Sequence, residues 1–307
     1  MIVVLAPGQG SQTPGFLEPW IAEKSYREHL ERISDTVGID LVKHGTTSDA
    51  DTIRDTAVAQ PLIVAAGLLA FRGLCEDGHR SKIDGVAGHS VGEVTASFAA
   101  GILSEEEALT FVRERSKGMA AAAALEKTGM SAVIGGDETA LLERLETLGL
   151  EPANFNGGGQ IVVAGARGAL AKLSEDPIAG SRVIPLQVAG AFHTHYMQPA
   201  VEHLHEVATK IWASDPELKI WTNRDGGLVE SGTTFVDLMV GQVSSPVRWD
   251  MTMDALAEAG VTGLIELAPA GALVGLAKRG LKGIPSVAVK TPDDLQAAYD
   301  LMNGVNA

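Results

Sequence analysis

A single cysteine, Cys75, rules out any disulfide within this 307-residue chain. The expected setting is therefore a reducing cytoplasm, and the apolar helical pattern around Cys75 makes it core filler rather than a nucleophile. Aromatic residues are scarce, at 5% of the chain, and basic residues are outnumbered, 24 Lys and Arg against 39 Asp and Glu. The resulting net charge of −15 excludes nucleic acid and anionic membrane from the expected partners. Apolar runs are broken by charge or glycine before the ~20 residues of a membrane span. The first run, Met1 to Leu5, has no basic residues ahead of it and reads as a strand, not a leader. Repeats, low-complexity segments, a Walker loop, a dinucleotide fingerprint and a helix-borne H-E-x-x-H are all missing. Nothing demands an oligomer, so a monomer is expected.

What the chain does have is apolar bulk, 45% hydrophobic against 21% charged, enough for one large domain with a smaller insertion. Its organising stretch is Gly88-His89-Ser90-Val91-Gly92, placed between an apolar run ending at Ala87 and small, helix-tolerant residues from Val94 to Ala100. Strand, sharp turn and helix in that order make a nucleophile elbow with Ser90 at its tip. The Val91 N–H, at the helix N-terminus, would face negative charge developing on an acyl oxygen. Elsewhere, strands alternate with helices, the pattern of a parallel sheet covered on both faces. Helices are expected over Pro19–Val37, from Gln60-Pro61 through Leu74, from the Ser104 capping box to a frayed alanine run, and over His195–Trp212. Between residues 126 and 191 the order becomes βαββαβ, a ferredoxin-like inserted subdomain. It would divide a catalytic domain of residues 1–125 and 192–307, for which the family resemblance set out below implies an α/β-hydrolase-like fold.

A serine hydroxyl needs a base. Of eight histidines, His29, His44 and His79 lie in polar surroundings and read as solvated, and His203 and His205 fall on a polar helix face. His89 would point away across the elbow. His193 and His195, after the last strand of the insert, compete for the role. His193, His195, His203 and His205 could alternatively hold a metal, but no cysteine or H-E-x-x-H supports that, and no metal is expected. Acids between Ser90 and His193, such as Asp137 and Asp176, sit in the insert. A Ser–His dyad with the imidazole oriented by a backbone carbonyl thus fits better than a triad. A serine hydrolase or thioesterase remains the alternative to an acyltransferase.

Gly8-Gln9-Gly10-Ser11-Gln12, Gln60-Pro61, Gly88-His89-Ser90-Val91-Gly92-Glu93, Arg115, Phe192-His193, Gln242, Pro246-Val247-Arg248-Trp249 and Glu266-Leu267-Ala268-Pro269 occur in order along nearly the whole chain. As an ordered set they resemble the malonyl-CoA:acyl carrier protein transacylases of type II fatty acid synthesis, a pattern shared by polyketide synthase acyltransferase domains. Ala268 departs from the glycine common there. The resemblance implies that Ser90 attacks malonyl-CoA with His193 as base, that the N–H groups of Gln9 and Val91 form the oxyanion hole, and that the Gln242 carbonyl orients the histidine. It implies further that Arg115 holds the malonyl carboxylate, with Gln9, Phe192, Met119 and Asn156 also at the substrate, Phe192 crowding out an α-methyl group. No cofactor is implied beyond the coenzyme A thioester itself. The implied acceptor, an acyl carrier protein, is acidic like this chain, so local cations must meet it: Arg113 and Lys117, Arg182, or Lys278, Arg279 and Lys282.

Overall fold

The computed structural model describes residues 1–305 and consists of two five-stranded sheets with helices around them. The first is wholly parallel and joins β1 (Ile2–Ala6), β2 (Gly85–Gly88), β7 (Lys219–Trp221), β9 (Gly263–Glu266) and β10 (Ser286–Ala288) in the order β10-β9-β1-β2-β7. Along β1 the side chains alternate between two cores. Ile2 and Val4 enter the larger one, and Val3 and Leu5 pack with Trp221, Trp249 and Leu264 on the opposite face. Register aligns Ala6 with Gly88 and Leu5 with Glu266, so the loops after β1, β2 and β9 leave from one edge of the sheet. Ligand crevices form at such C-terminal edges.

The second sheet is mixed. It joins β3 (Thr128–Gly135), β4 (Glu151–Phe155), β5 (Gln160–Ala166), β6 (Ser181–Pro185) and β8 (Val247–Arg248) in the order β6-β3-β5-β4-β8. The first four are antiparallel to their neighbours, and β8 runs parallel to β4. One face carries Met130, Ala132, Val162 and Ala164 into the main core; Val133, Ile161 and Val163 on the other pack under helices Glu138–Leu148 and Arg167–Glu175. β8 was not expected. It lies outside residues 126–191, so the sheet draws a strand from the later part of the chain, and the Arg248 guanidinium lies 4.6 Å from the centre of the Phe155 ring. Two residues carry no periodicity, which is why this strand has no signature.

Several helix limits differ from the sequence reading. Pro61 does not open its helix. The helix runs Thr56–Leu74, started by the Asp55 carboxylate accepting from the Ala57 N–H, and Pro61 lies inside at the expense of one hydrogen bond. It has the length and mean hydropathy, 1.6, of a membrane span, yet 83% of that stretch is buried inside the fold. The expected helix over Pro19–Val37 is two, Glu18–Ile21 and Lys24–Val37, broken at Glu23, which is extended. The helix from Glu105 does not fray at its alanines but continues to Leu125, alanine being the best helix former. His195–Trp212 shrinks to a single 3₁₀ turn and helix Gln198–Ala208. Helices Leu41–Thr46 and Leu295–Met302 had no clear sequence signal.

Candidate active site

Ser90 sits at the sheet edge with φ of +53°, a left-handed backbone that costs a non-glycine residue energy and is held by its neighbours. Two glycines make the turn possible. A Cβ on Gly88 would lie 2.1 Å from the carbonyl carbon of Gly92, and one on Gly92 would lie 2.1 Å from the Ala6 carbonyl oxygen. Asn223, just past β7, clamps the turn. Its Oδ1 accepts from the Ser90 N–H at 2.7 Å and its Nδ2 donates to the Gly88 carbonyl at 2.6 Å. Sequence reading missed Asn223, since only the β2–β7 pairing brings it to the elbow.

His193 also has a left-handed backbone, φ +63°, and is 4% exposed. Its Nδ1–H donates to the Gln242 carbonyl at 2.8 Å, which fixes the tautomer and leaves Nε2 to accept from the Ser90 hydroxyl at 2.7 Å. Burial, followed by the neighbouring Arg115 charge, holds the imidazole down at about 3, so it is neutral and able to take a proton at physiological pH. The competing His195 is instead exposed and paired with Glu151. His203 is bonded to Glu114 at 3.1 Å, and no group of three metal-ligating side chains forms among the described residues.

Arg115 is 1% exposed although it lies on a helix between the surface residues Arg113 and Lys117. Its Nη1 donates to Gln60 Oε1 at 2.7 Å, and its Nη2 donates to Gln242 Oε1 at 2.7 Å and Ser90 Oγ at 3.3 Å. The Gln60 amide in turn donates to the Met119 sulfur at 3.4 Å, so Met119 reaches the guanidinium through Gln60. Gln242 therefore acts twice, its backbone on His193 and its side chain on Arg115. Its Nε2 donates to the Ser90 carbonyl at 3.1 Å and to the buried carboxylate of Glu93. Neither that amide nor Glu93 was given a role from sequence, because both depend on contacts far apart in the chain.

The loop after β1 lies alongside. A Cβ on Gly8 would come within 2.8 Å of the His89 carbonyl oxygen, and the Gln9 side chain donates to the Arg54 carbonyl at 3.3 Å. Among the described residues the N–H groups of Gln9 and Val91 have no hydrogen-bond acceptor. Phe192 is 6% exposed beside His193. The second sheet contributes Asn156, whose Oδ1 accepts from His89 Nε2 at 3.0 Å while its Nδ2 donates to Gln160 Oε1 at 3.1 Å. His89 thus bridges the sheets, and burial keeps it neutral. His29, expected in solvent, is buried against Glu105 at 3.0 Å, since its helix packs on the one carrying Arg115. Of the expected docking cations, Arg113 and Lys117 are tied to Glu114, and Arg279 lies against the Gly158 turn of the second sheet.

Comparison with known proteins agrees over the full length. The family described as the acyl transferase domain matches residues 3–293. The malonyl CoA-acyl carrier protein transacylase of Mycobacterium tuberculosis is 48% identical over 305 residues, covering 98% of this chain and 100% of that protein. The Escherichia coli K12 protein of the same name is 30% identical over 302 residues, with 96% and 97% covered. In structure, the crystal structure of MCAT from Mycobacterium tuberculosis superposes with a TM-score of 0.94 at 48% identity, covering 100% of both chains. A malonyl-transacylase in complex with a type II polyketide synthase acyl-carrier protein gives 0.92 at 29% identity, with 98% of this chain and 99% of that one covered. With its serine and imidazole in contact over a buried guanidinium, this chain belongs to the malonyl CoA-acyl carrier protein transacylases of the acyl transferase family.

Proposed function

We propose that this enzyme moves the malonyl group of malonyl-CoA onto Ser90 and from there onto the phosphopantetheine thiol of an acyl carrier protein, supplying extender units for fatty acid synthesis. Ser90 Oγ attacks the thioester carbonyl as its proton passes to His193 Nε2, and the Gln242 carbonyl stabilises the imidazolium through Nδ1–H. Negative charge on the carbonyl oxygen is met by the free N–H groups of Val91 and Gln9. The tetrahedral intermediate collapses to a malonyl ester and expels the coenzyme A thiolate, which takes the proton from His193. The carrier thiol then repeats these steps in reverse. The thioester brings its own driving force, so coenzyme A enters as substrate and no further cofactor is called for.

The observation that carries this reading is the buried Arg115 guanidinium, whose Nη2 lies 3.3 Å from the Ser90 oxygen. A cation buried there suits an acyl group ending in a carboxylate, for which guanidinium offers paired N–H donors. Phe192, packed beside His193, would crowd a branch on the carbon next to the thioester. We read residues 1–125 and 192–307 as the α/β-hydrolase-like body and 126–191 as a ferredoxin-like insert. The order β6-β3-β5-β4 supports the latter.

The test is an intact mass after incubation with malonyl-CoA alone. A stable increase of one malonyl group, absent in Ser90→Ala, is expected. Free malonate without an adduct would make the protein a hydrolase, and no reaction at all would leave it without this activity.

A further inference from the structure

One buried ionisable side chain beside Ser90 has no part in the steps above. Glu93 is 1% exposed in the first turn of the helix Gly92–Ala99. Both its oxygens accept N–H bonds, Oε1 from the Asn223 backbone at 2.6 Å and Oε2 from the Gln242 side chain. The hydrogens of Gln242 Nε2 are shared among the Glu93 carboxylate, the Ser90 carbonyl at 3.1 Å and Asn223 Oδ1 at 3.3 Å. That leaves Oε1 as the end of the amide facing Arg115 Nη2, at 2.7 Å.

An amide fits its slot either way round unless something distinguishes its two ends. Burial pushes the Glu93 carboxyl up to about 8, opposed by the Asn223 N–H and the Arg115 charge, and its ionised form, with both oxygens accepting N–H bonds as here, must face Nε2 and not Oε1. The opposite orientation would also turn NH₂ against a guanidinium, donor against cation. We propose that Glu93 is a positioning residue for acyl transfer: through the Gln242 side chain it holds the Arg115 guanidinium beside the Ser90 hydroxyl, where the far carboxylate of the incoming acyl group is bound. The amide lies between the two charges, so Glu93 steadies the guanidinium without occupying the N–H pair a substrate carboxylate needs. The charges also favour each other. Burial lowers the Arg115 ionisation to about 10 and raises that of Glu93 to about 8, and the charge on each opposes the shift of the other.

This inference rests on the malonyl-transfer reading, and its test separates the two. Rate constants for loading Ser90 from malonyl-CoA and from acetyl-CoA are measured by quenched-flow and intact mass at pH 9, where Glu93 is ionised and Arg115 still charged, in wild type, Glu93→Gln, Gln242→Met and the double variant. In Glu93→Gln one amide oxygen must serve two N–H donors, so Gln242 loses its fixed orientation. The malonyl rate constant is expected to fall about tenfold, the acetyl rate constant much less, and the malonyl-to-acetyl ratio by at least about fivefold. Gln242→Met keeps the backbone carbonyl on His193 but removes the amide, and should lower the ratio equally. The double variant should go no further than either single one, because both act through one link.

If the malonyl and acetyl rate constants fall in parallel, or the two substitutions multiply, Glu93 is merely structural and the proposal fails. Should Glu93→Gln not fold, Gln242→Met carries the test alone, and an unchanged ratio overturns the proposal. A wild-type protein that forms no malonyl adduct would instead sink the underlying functional reading.

Discussion

The two sheets treat polar groups in opposite ways. At the edge of the parallel sheet, Glu93, Arg115, His193, Asn223 and Gln242 are all buried, and each hydrogen-bonds at least one of the others or Ser90. The second sheet buries little beyond Thr128, Ser131, Asn154 and Asn156, and leaves Ile184 and Leu186 more than a third exposed. The non-glycine residues held in left-handed backbone include Ser90 and His193 in the body and none in the strands of the second sheet. Desolvated charge and backbone strain are costly, and they are gathered where several elements converge to hold them. The second sheet acts as a wall, and its ties to the site, Asn156 to His89 and the Arg248 N–H to the Asn223 carbonyl, are few.

Glycine substitutions test that contrast most severely. In Gly88→Ala the new methyl would meet the Gly92 backbone at 2.1 Å, and neither strand nor helix can yield without moving Ser90. A loss of about 3 kcal/mol or more is expected in chemical denaturation. Gly129→Ala in β3 meets nothing nearer than Leu170 Cδ1 at 3.5 Å and should change stability by less than about 1 kcal/mol. Equal costs would mean that the elbow is no more constrained than the wall.

How much of this was legible beforehand follows the same division. The elbow could be read because strand, glycine, serine, glycine and helix are consecutive, whereas the residues alone narrowed the base only to His193 or His195, and the family resemblance chose between them. The side-chain role of Gln242 and the clamps of Asn223, Gln60 and Glu93 could not be, since each depends on residues from separate elements meeting at one sheet edge. Helix starts erred for a local reason. Pro61 is a strong signal for a first turn, but the Asp55 side chain, a weaker mark in sequence, caps the helix earlier. The strand β8 escaped because its pairing with β4 is a fact of tertiary structure.

The charge inside the body gives the second test. Arg115→Gln removes the cation proposed to face the acyl carboxylate, and malonyl loading should fall roughly a hundredfold, matching about 3 kcal/mol for an unpaired buried charge. Acetyl loading should fall much less. A pH signature should accompany it. With neutral His193 as the proposed base, which in the native protein becomes charged only near pH 3, the imidazole should impose no acid limb on loading between pH 5 and 7. Arg115 is one of the causes of that depression, so its removal lets the imidazole ionise at higher pH. The acid limb should then move upward, toward the ordinary histidine value. An unmoved limb would show that burial alone sets the base.

The smallest effect is expected where wall and body touch. Asn156→Ala removes the acceptor of His89 Nε2 and the donor to Gln160, leaving Ser90, His193 and Arg115 with all their partners. One hydrogen bond between neutral groups contributes about 1 kcal/mol, so malonyl loading should drop about fivefold at most, with the malonyl-to-acetyl ratio preserved. The loss comes from a looser His89, whose backbone carbonyl accepts from the Gly92 N–H at 2.9 Å inside the elbow. That route reaches the nucleophile but not the guanidinium, so rate can change while selectivity cannot. A large fall in the ratio for Asn156→Ala would place the second sheet in direct contact with the acyl group, and the division between a body that performs the chemistry and a wall that encloses it would have to be redrawn.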